Sequence, residues 1–205
     1  MLLSPRIVSG DRELIQIVDA AMAEAARKSG AWLVCRPGCF QCCIGAFSIS
    51  QLDALRLRRG MDSLDALDPE RAARVRQRAR RSVARISSDF PGDPVTGLLA
   101  EDENAEERFS TFDDDEPCPA LDPELGTCDL YSARPIDCRT FGPPVRCGEE
   151  AVGVCELCFE GASEDQIAAC EVEVDPDGVE PALLRELEST AGARGRTIVA
   201  YCLVS

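Results

Sequence analysis

Cys35, Cys39, Cys42 and Cys43 fall within nine residues, C-R-P-G-C-F-Q-C-C, of a chain that contains no histidine. Four thiols this close do not pair off comfortably as disulfides, because each bridge needs its two Cβ atoms nearly touching at one particular dihedral. Once deprotonated they can converge on one ion or cluster. Binding then costs a proton from each thiol, which the metal–sulfur bonds must offset. A free cysteine titrates near about 8.5, so crowding alone does not ionise these thiols and the metal does. Without histidine a mixed nitrogen-and-sulfur site made by the protein is excluded. The choice narrows to zinc held by four sulfurs or an iron–sulfur cluster, with mononuclear iron on thiolates and carboxylates as a third case. Abundant cysteines in two distant blocks favour iron–sulfur or iron, while the C-x2-C pairs keep zinc as the alternative.

The C-x3-C-x2-C run of Cys35, Cys39 and Cys42 resembles the cluster loop of radical S-adenosylmethionine enzymes. Against that stand Gln41, where an aromatic commonly precedes the third cysteine, and the lack of a series of βα units. A better resemblance uses a second block of cysteines. C-P-A-L-D at 118–122, G-T-C at 126–128 and Y-S-A-R-P-I-D-C-R-T-F at 131–141 follow the first block in order. Together they resemble the bacterial cysteine-cluster family called YkgJ-type, a zinc- or iron-chelating domain, over roughly residues 31–160. A related signature occurs in flagellin lysine-N-methylase.

The resemblance implies that Cys35, Cys39, Cys42, Cys43, Cys118, Cys128 and Cys138 are metal ligands. Cys147, Cys155 and Cys158 are second-rank candidates, the last two spaced as C-x2-C. Cys170 and Cys202 lie in apolar surroundings and read as buried small hydrophobes. So many donors exceed one four-ligand site, which leaves two sites, a polynuclear cluster, or spare thiols. Neighbouring Cys42 and Cys43 project differently, so one should ligate while the other serves a second site or supports the first. Tyr131, Arg134 and Arg139 sit beside ligand candidates, where they could hydrogen-bond thiolate sulfur and tune a bound cofactor. Equally, Arg134-Pro135 could fix a turn and Tyr131 pack in the core. Trp32 and Phe40 are expected to shield the site.

The elements that must position these residues read as a mainly helical α+β fold with short strands, one small domain over 1–205 organised around the metal site. Leu14, Ile17, Val18, Ala21 and Ala25 predict a helix from Asp11 to Ser29, stopped by Gly30. Pro37 and Gly38 predict a turn inside the first cysteine block. Ser50 and Asp53 open a short helix that Gly60 closes. Asp68 and Pro69 open another that reaches Ile86, with an apolar stripe beside a basic stripe of Arg71, Arg74, Arg78, Arg81 and Arg85. Residues 89–117 read as an acidic surface loop broken by Pro91, Gly92, Pro94 and Gly97. Asp122–Gly126 predicts a turn, Thr127–Tyr131 and Glu171–Val174 strands, and Ser163 with Gln166 a capped helix. Pro181–Ala193 predicts a further helix and Thr197–Val204 an extended tail.

Composition bounds the remainder. A net charge of −15 argues against nucleic-acid and anionic-membrane partners. No apolar stretch approaches the roughly 20 residues of a membrane span, and the start lacks the pattern of a secretory signal. A cytoplasmic chain in a reducing compartment follows, where cysteines are more often ligands than bridges. Three roles remain open: a metal-binding protein, an iron–sulfur redox or methyl-transfer enzyme, and a structural zinc module. In the last, the acidic loop or the arginine-striped helix would meet a protein partner.

Overall fold

The computed structural model describes residues 4–36, 38–112 and 115–204. It is a mainly helical α+β fold with short strands. Its helices are α1 (Pro5–Ser29), α2 (Gln51–Leu67), α3 (Pro69–Ile86), α4 (Ala105–Ser110), α5 (Ile136–Thr140), α6 (Glu164–Cys170), α7 (Val179–Ala191) and α8 (Val199–Leu203). The chain divides into two compact units, a finer grain than the one domain its length predicts. The first unit is Met1–Arg36 with Ile136–Gly192, the second Pro37–Pro135 with Ala193–Ser205. The boundary between Arg36 and Pro37 cuts the first cysteine block after Cys35. Among the described residues no helix is long and apolar enough to cross a membrane.

In the first unit α1 is the spine. It begins at Pro5, earlier than its apolar stripe alone predicts, because Ser4 caps it by accepting the Arg6 amide and Pro5 supplies a pre-set φ at the first turn. Ile7, Leu14, Val18 and Ala25 form its buried face. Ala25 packs with Val145 and Val172 of a small sheet and with Val174 just beyond it. In that sheet Val145–Cys147 lies between antiparallel Glu150–Val152 and parallel Val172–Glu173. A second apolar cluster joins Cys155, Cys158, Phe159 and Cys170 to Trp32, Leu33 and Phe141. The capping box of Ser163 and Gln166 opens α6.

The second unit packs α2, α3 and α8 around Ile49, Leu57, Val75, Ala79, Leu130 and Leu203. Three predictions change there, the first being the strand expected over Thr127–Tyr131, which is only Thr127–Cys128 with a 3-10 turn at Tyr131–Ala133. Gly60 does not close α2, which continues to Leu67; a Cβ at Gly60 would overlap that of Ala133, so the glycine serves close packing. The apolar tail pairs only at Thr197–Ile198, with Ser48–Ile49, and then turns into α8. Short apolar runs buried on every side carry no period that separates strand from helix. Asp68 caps α3 as expected, accepting the Arg71 amide at 3.0 Å.

The acidic segment 89–117 holds α4 and a hairpin pairing Gly92–Asp93 with Leu98–Leu99. Phe90, Phe109 and Phe112 anchor it in an aromatic cluster with Tyr201. Asp113 and Asp114 of its acidic run lie outside the described residues, as does Pro37 of the predicted turn; Gly38 has a φ of 89°.

Candidate metal centre

Two backbone devices bring the first and second cysteine blocks together in the second unit. Gln41–Cys43 forms a single 3-10 turn, and beyond it Ile44 bridges Pro117 in antiparallel fashion. The Cys118 amide donates to the Cys43 carbonyl at 2.7 Å, and the Gly45 amide to the Glu116 carbonyl at 2.9 Å. Cys118 is thereby tied beside the vicinal pair. Cys128 returns through the hairpin of Leu121–Asp122 with Thr127–Cys128, in which Leu121 faces Cys128. The hairpin turn is made by Asp122, which accepts the Glu124 and Leu125 amides, and by Gly126 at a φ of 63°. Cys118 and Cys128 rest partly buried against the α2–α3 core.

The thiols act on one another electrically. Cys42 and Cys43 are hydrogen-bonded side chain to side chain. The S–H of Cys43 holds the Cys42 thiol down at about 6, and the same bond pushes Cys43 up, helped by burial and by the charges of Cys42, Cys118 and Cys128. Burial raises Cys118 to about 12, against backbone amides of Ala120 and Leu121 that favour its thiolate. Burial also raises Cys128, opposed by the Leu130 amide and by the positive charge of Arg134. Amides placed two and three residues after a cysteine are hydrogen-bond donors for a sulfur that carries charge. Arg134 lies over the Tyr131 ring, its guanidinium carbon 4.0 Å from the centroid. Its field also lowers Cys42.

Cys39 is half-buried between Gly38 and Phe40, which stand against the hairpin turn: a Cβ on Gly126 would lie 3.4 Å from the Phe40 ring and 3.6 Å from the Gly38 carbonyl. Phe40 itself stays exposed.

The other candidates belong to the first unit. The Cys35 thiol lies against the backbone of Gly142, where a Cβ would sit 3.2 Å from its sulfur. Gly142 has a φ of 126°, and its carbonyl accepts the Cys155 amide at 3.1 Å. Cys138 is half-buried on α5, four residues before Gly142. Gly142 is thus touched by the Cys35 sulfur and by the Cys155 backbone, with Cys138 four residues earlier in sequence. Cys147 is exposed and ends the strand Val145–Cys147, opposite Glu150. Cys158 and Cys170 are buried beside Phe159, which stacks on Trp32 with centroids 6.3 Å apart. Arg139 is held by Asp19 of α1 at 2.7 Å.

Arg85 of the arginine stripe pairs with Glu116 of the acidic segment, but sequence reasoning missed the partner of Arg71 and Arg78. Asp129, next to Cys128, is almost fully buried between Arg71 and Arg78. An acid following G-T-C carries no motif of its own, so only its burial reveals it. Arg74 and Arg81 of the same stripe are exposed.

The donor set fits a thiophilic ion: four sulfurs from two distant segments, amide donors at two of them, and a cation beside them. Among the described residues no three Cys, Asp or Glu side chains stand at ligand spacing around one point. The thiols are gathered, and side-chain rotation must bring them to a common centre. The donors such an arrangement offers are sulfur atoms. The model of the cysteine-cluster family CxxCxxCC, described as "Putative zinc- or iron-chelating domain", matches residues 34–158, more than half of the chain, and the protein belongs to that family. Metal binding is the function this membership supports. Comparison with curated proteins and with solved structures gives no match.

Proposed function

We propose that the protein binds one thiophilic ion, zinc or iron, through Cys42, Cys43, Cys118 and Cys128. Cys35, Cys138 and Cys155, with Cys147 in reach of the same unit's surface, form a second thiol site in the first unit. The observation that carries this reading is the meeting of Cys42 and Cys43 with Cys118 and Cys128 across about 75 residues of intervening chain, in mutual electrostatic contact. When bound, the metal would supply charge neutralisation for otherwise repelling thiolates and a covalent tie between the two blocks.

A single ion is favoured over a four-iron cluster by the Cys42–Cys43 hydrogen bond. Two sulfurs on one tetrahedral ion with bonds of about 2.3 Å stand roughly 3.8 Å apart, so two thiols that already interact can both reach it by side-chain rotation. A four-iron cluster binds its cysteines to separate irons and spreads their sulfurs beyond such contact. Arg134 offsets part of the negative charge that four thiolates leave on a divalent ion.

Anaerobic purification followed by metal and acid-labile sulfide analysis tests the reading. Stoichiometric zinc or iron without labile sulfide is the expected result. A brown protein with sulfide and iron in equal amounts would overturn the single-ion assignment, and absence of any bound metal would overturn the site.

A further inference from the structure

Arg71, Arg78 and Arg85 recur every seven residues on α3, which stacks them along one side of the helix, each about 10 Å above the last. All three reach the segment that carries Cys118 and Cys128. Arg71 donates from Nε to Asp129 Oδ1 at 2.5 Å. Arg78 donates from Nη2 to the other oxygen of Asp129, and from Nε to the Pro119 carbonyl at 2.8 Å. Arg85 pairs with Glu116. The partners flank the cysteines closely: Glu116 and Pro119 bracket Cys118, and Asp129 follows Cys128. The Asp129 side chain is 1% exposed, so its carboxylate is fully committed to the two guanidinium groups. Its amide donates to the Ala120 carbonyl at 2.7 Å, which locks the same hairpin from the backbone side.

We propose that this arginine ladder is the positioning device of the metal site: α3 holds the strand ends of the second cysteine block so that Cys118 and Cys128 face Cys42 and Cys43. The proposal rests on the reading of Cys118 and Cys128 as ligands. The 116–129 segment has only a two-residue strand pair of its own. Such a hairpin does not hold its register unaided, and a well-packed helix supplies the missing rigidity. Ion pairs are suited to this because both partners have fixed, planar geometry and the buried carboxylate has no alternative solvation. Electrostatics at the thiols runs the other way. A carboxylate beside Cys128 repels its thiolate, so removing the charge of Asp129 would favour metal binding if charge alone mattered. The ladder is therefore separable from a simple field effect by the sign of one mutation.

The test is competition of cobalt(II) between the full-length protein and a chromophoric chelator, read by the thiolate-to-cobalt absorption, with thermal melting of each metal-free variant alongside. Arg78→Gln and Asp129→Asn should each weaken the second-unit equivalent by about 10- to 100-fold, the usual effect of losing a group that orients a ligand. Arg78→Lys, which keeps the charge but not the fork, should recover only part of the loss. Cys128→Ser controls for the metal reading itself. If it leaves loading intact, that reading fails. If it abolishes loading while Arg78→Gln binds as the parent does, or Asp129→Asn binds more tightly, the ladder is overturned and the site stands. Should Arg78→Gln not fold, Arg85→Gln, whose guanidinium is largely exposed, reads the same property, with a several-fold weakening in favour of the ladder and unchanged affinity against it.

Discussion

The two units treat the same side chain in different ways. In the second, Cys118 and Cys128 lie on the edge of a core, with backbone amides favouring their thiolates and the charge of Arg134 acting on Cys128, and the Cys42 and Cys43 thiols interact beside them. In the first, Cys158 and Cys170 are walled in by Trp32, Phe141 and Phe159, and Cys170 donates weakly to the Lys28 carbonyl at 3.4 Å. A thiol given amide donors has partners for a charged sulfur even where burial keeps it protonated, whereas one surrounded by rings is a small apolar packing group. Cys35, Cys138 and Cys155 stand between these extremes, the first exposed, the second half-buried and the third buried. Cysteine count alone therefore says little about ligation, and the atoms around each sulfur say more.

The comparison breaks most readily at the ligands. Cys118→Ser or Cys128→Ser should abolish metal loading of the second unit and expose it to proteolysis, as metal analysis and limited digestion would report. Cys170→Ala should leave metal content unchanged. Equal losses in all three would erase the distinction between donor and packing thiols.

A further effect concerns pH. Of the four thiols proposed as ligands, Cys42 titrates at about 6 while Cys43, Cys118 and Cys128 are raised. At neutral pH loading should thus release close to three protons, one each from Cys43, Cys118 and Cys128. Apparent affinity should climb steeply as pH rises and fall as pH drops, more steeply still below about 6, where Cys42 is also protonated. Calorimetry in buffers of different ionisation enthalpy counts the protons. In the metal-free protein the raised thiols stabilise the fold fully below their unfolded value near about 8.5. That contribution is lost as pH rises through the folded values, about 11 for Cys202 and about 12 for Cys118. Alkaline unfolding of the metal-free form, followed by circular dichroism, checks the sign.

Two glycines sharpen the contrast between units by stability alone. Gly142→Ala places a methyl at a φ of 126° and 3.2 Å from the Cys35 sulfur. It should cost about 1–3 kcal/mol in urea unfolding and disturb only the first-unit thiols. Gly60→Ala pushes α2 off Ala133 and should cost about 1–3 kcal/mol in the second unit. The smallest expected change is Cys202→Ala, a loss of about 1 kcal/mol from a slightly underfilled core with metal content intact.

Much of the local structure was legible in the residues. Ser50, Asp68-Pro69 and Ser163 with Gln166 announce helix starts because capping is satisfied within a few residues of chain. The start of α1 at Ser4-Pro5 carries the same signal, hidden because the apolar stripe is thinner there. Helix ends were less legible. Gly60 reads as a stop by propensity, yet its tolerance inside α2 comes from Ala133, more than 70 residues away in sequence. From sequence the arginines of α3 read first as a solvated face, since nothing local distinguishes Arg74, which is exposed, from Arg78, which grips Asp129.

By itself the sequence bounded the chemistry: cysteine-rich, lacking histidine, and spaced so that several sulfurs could serve as donors. Donor identity is a property of side-chain type and needs no fold. Only the tertiary structure decided which sulfurs meet. It divided a run of nine residues between two units at Arg36 and Pro37, sending Cys35 toward Gly142 and Cys42 and Cys43 toward Cys118. It also gave the arginine stripe its acidic partner. Proximity between groups far apart in sequence depends on how whole elements pack, and no local spacing encodes it.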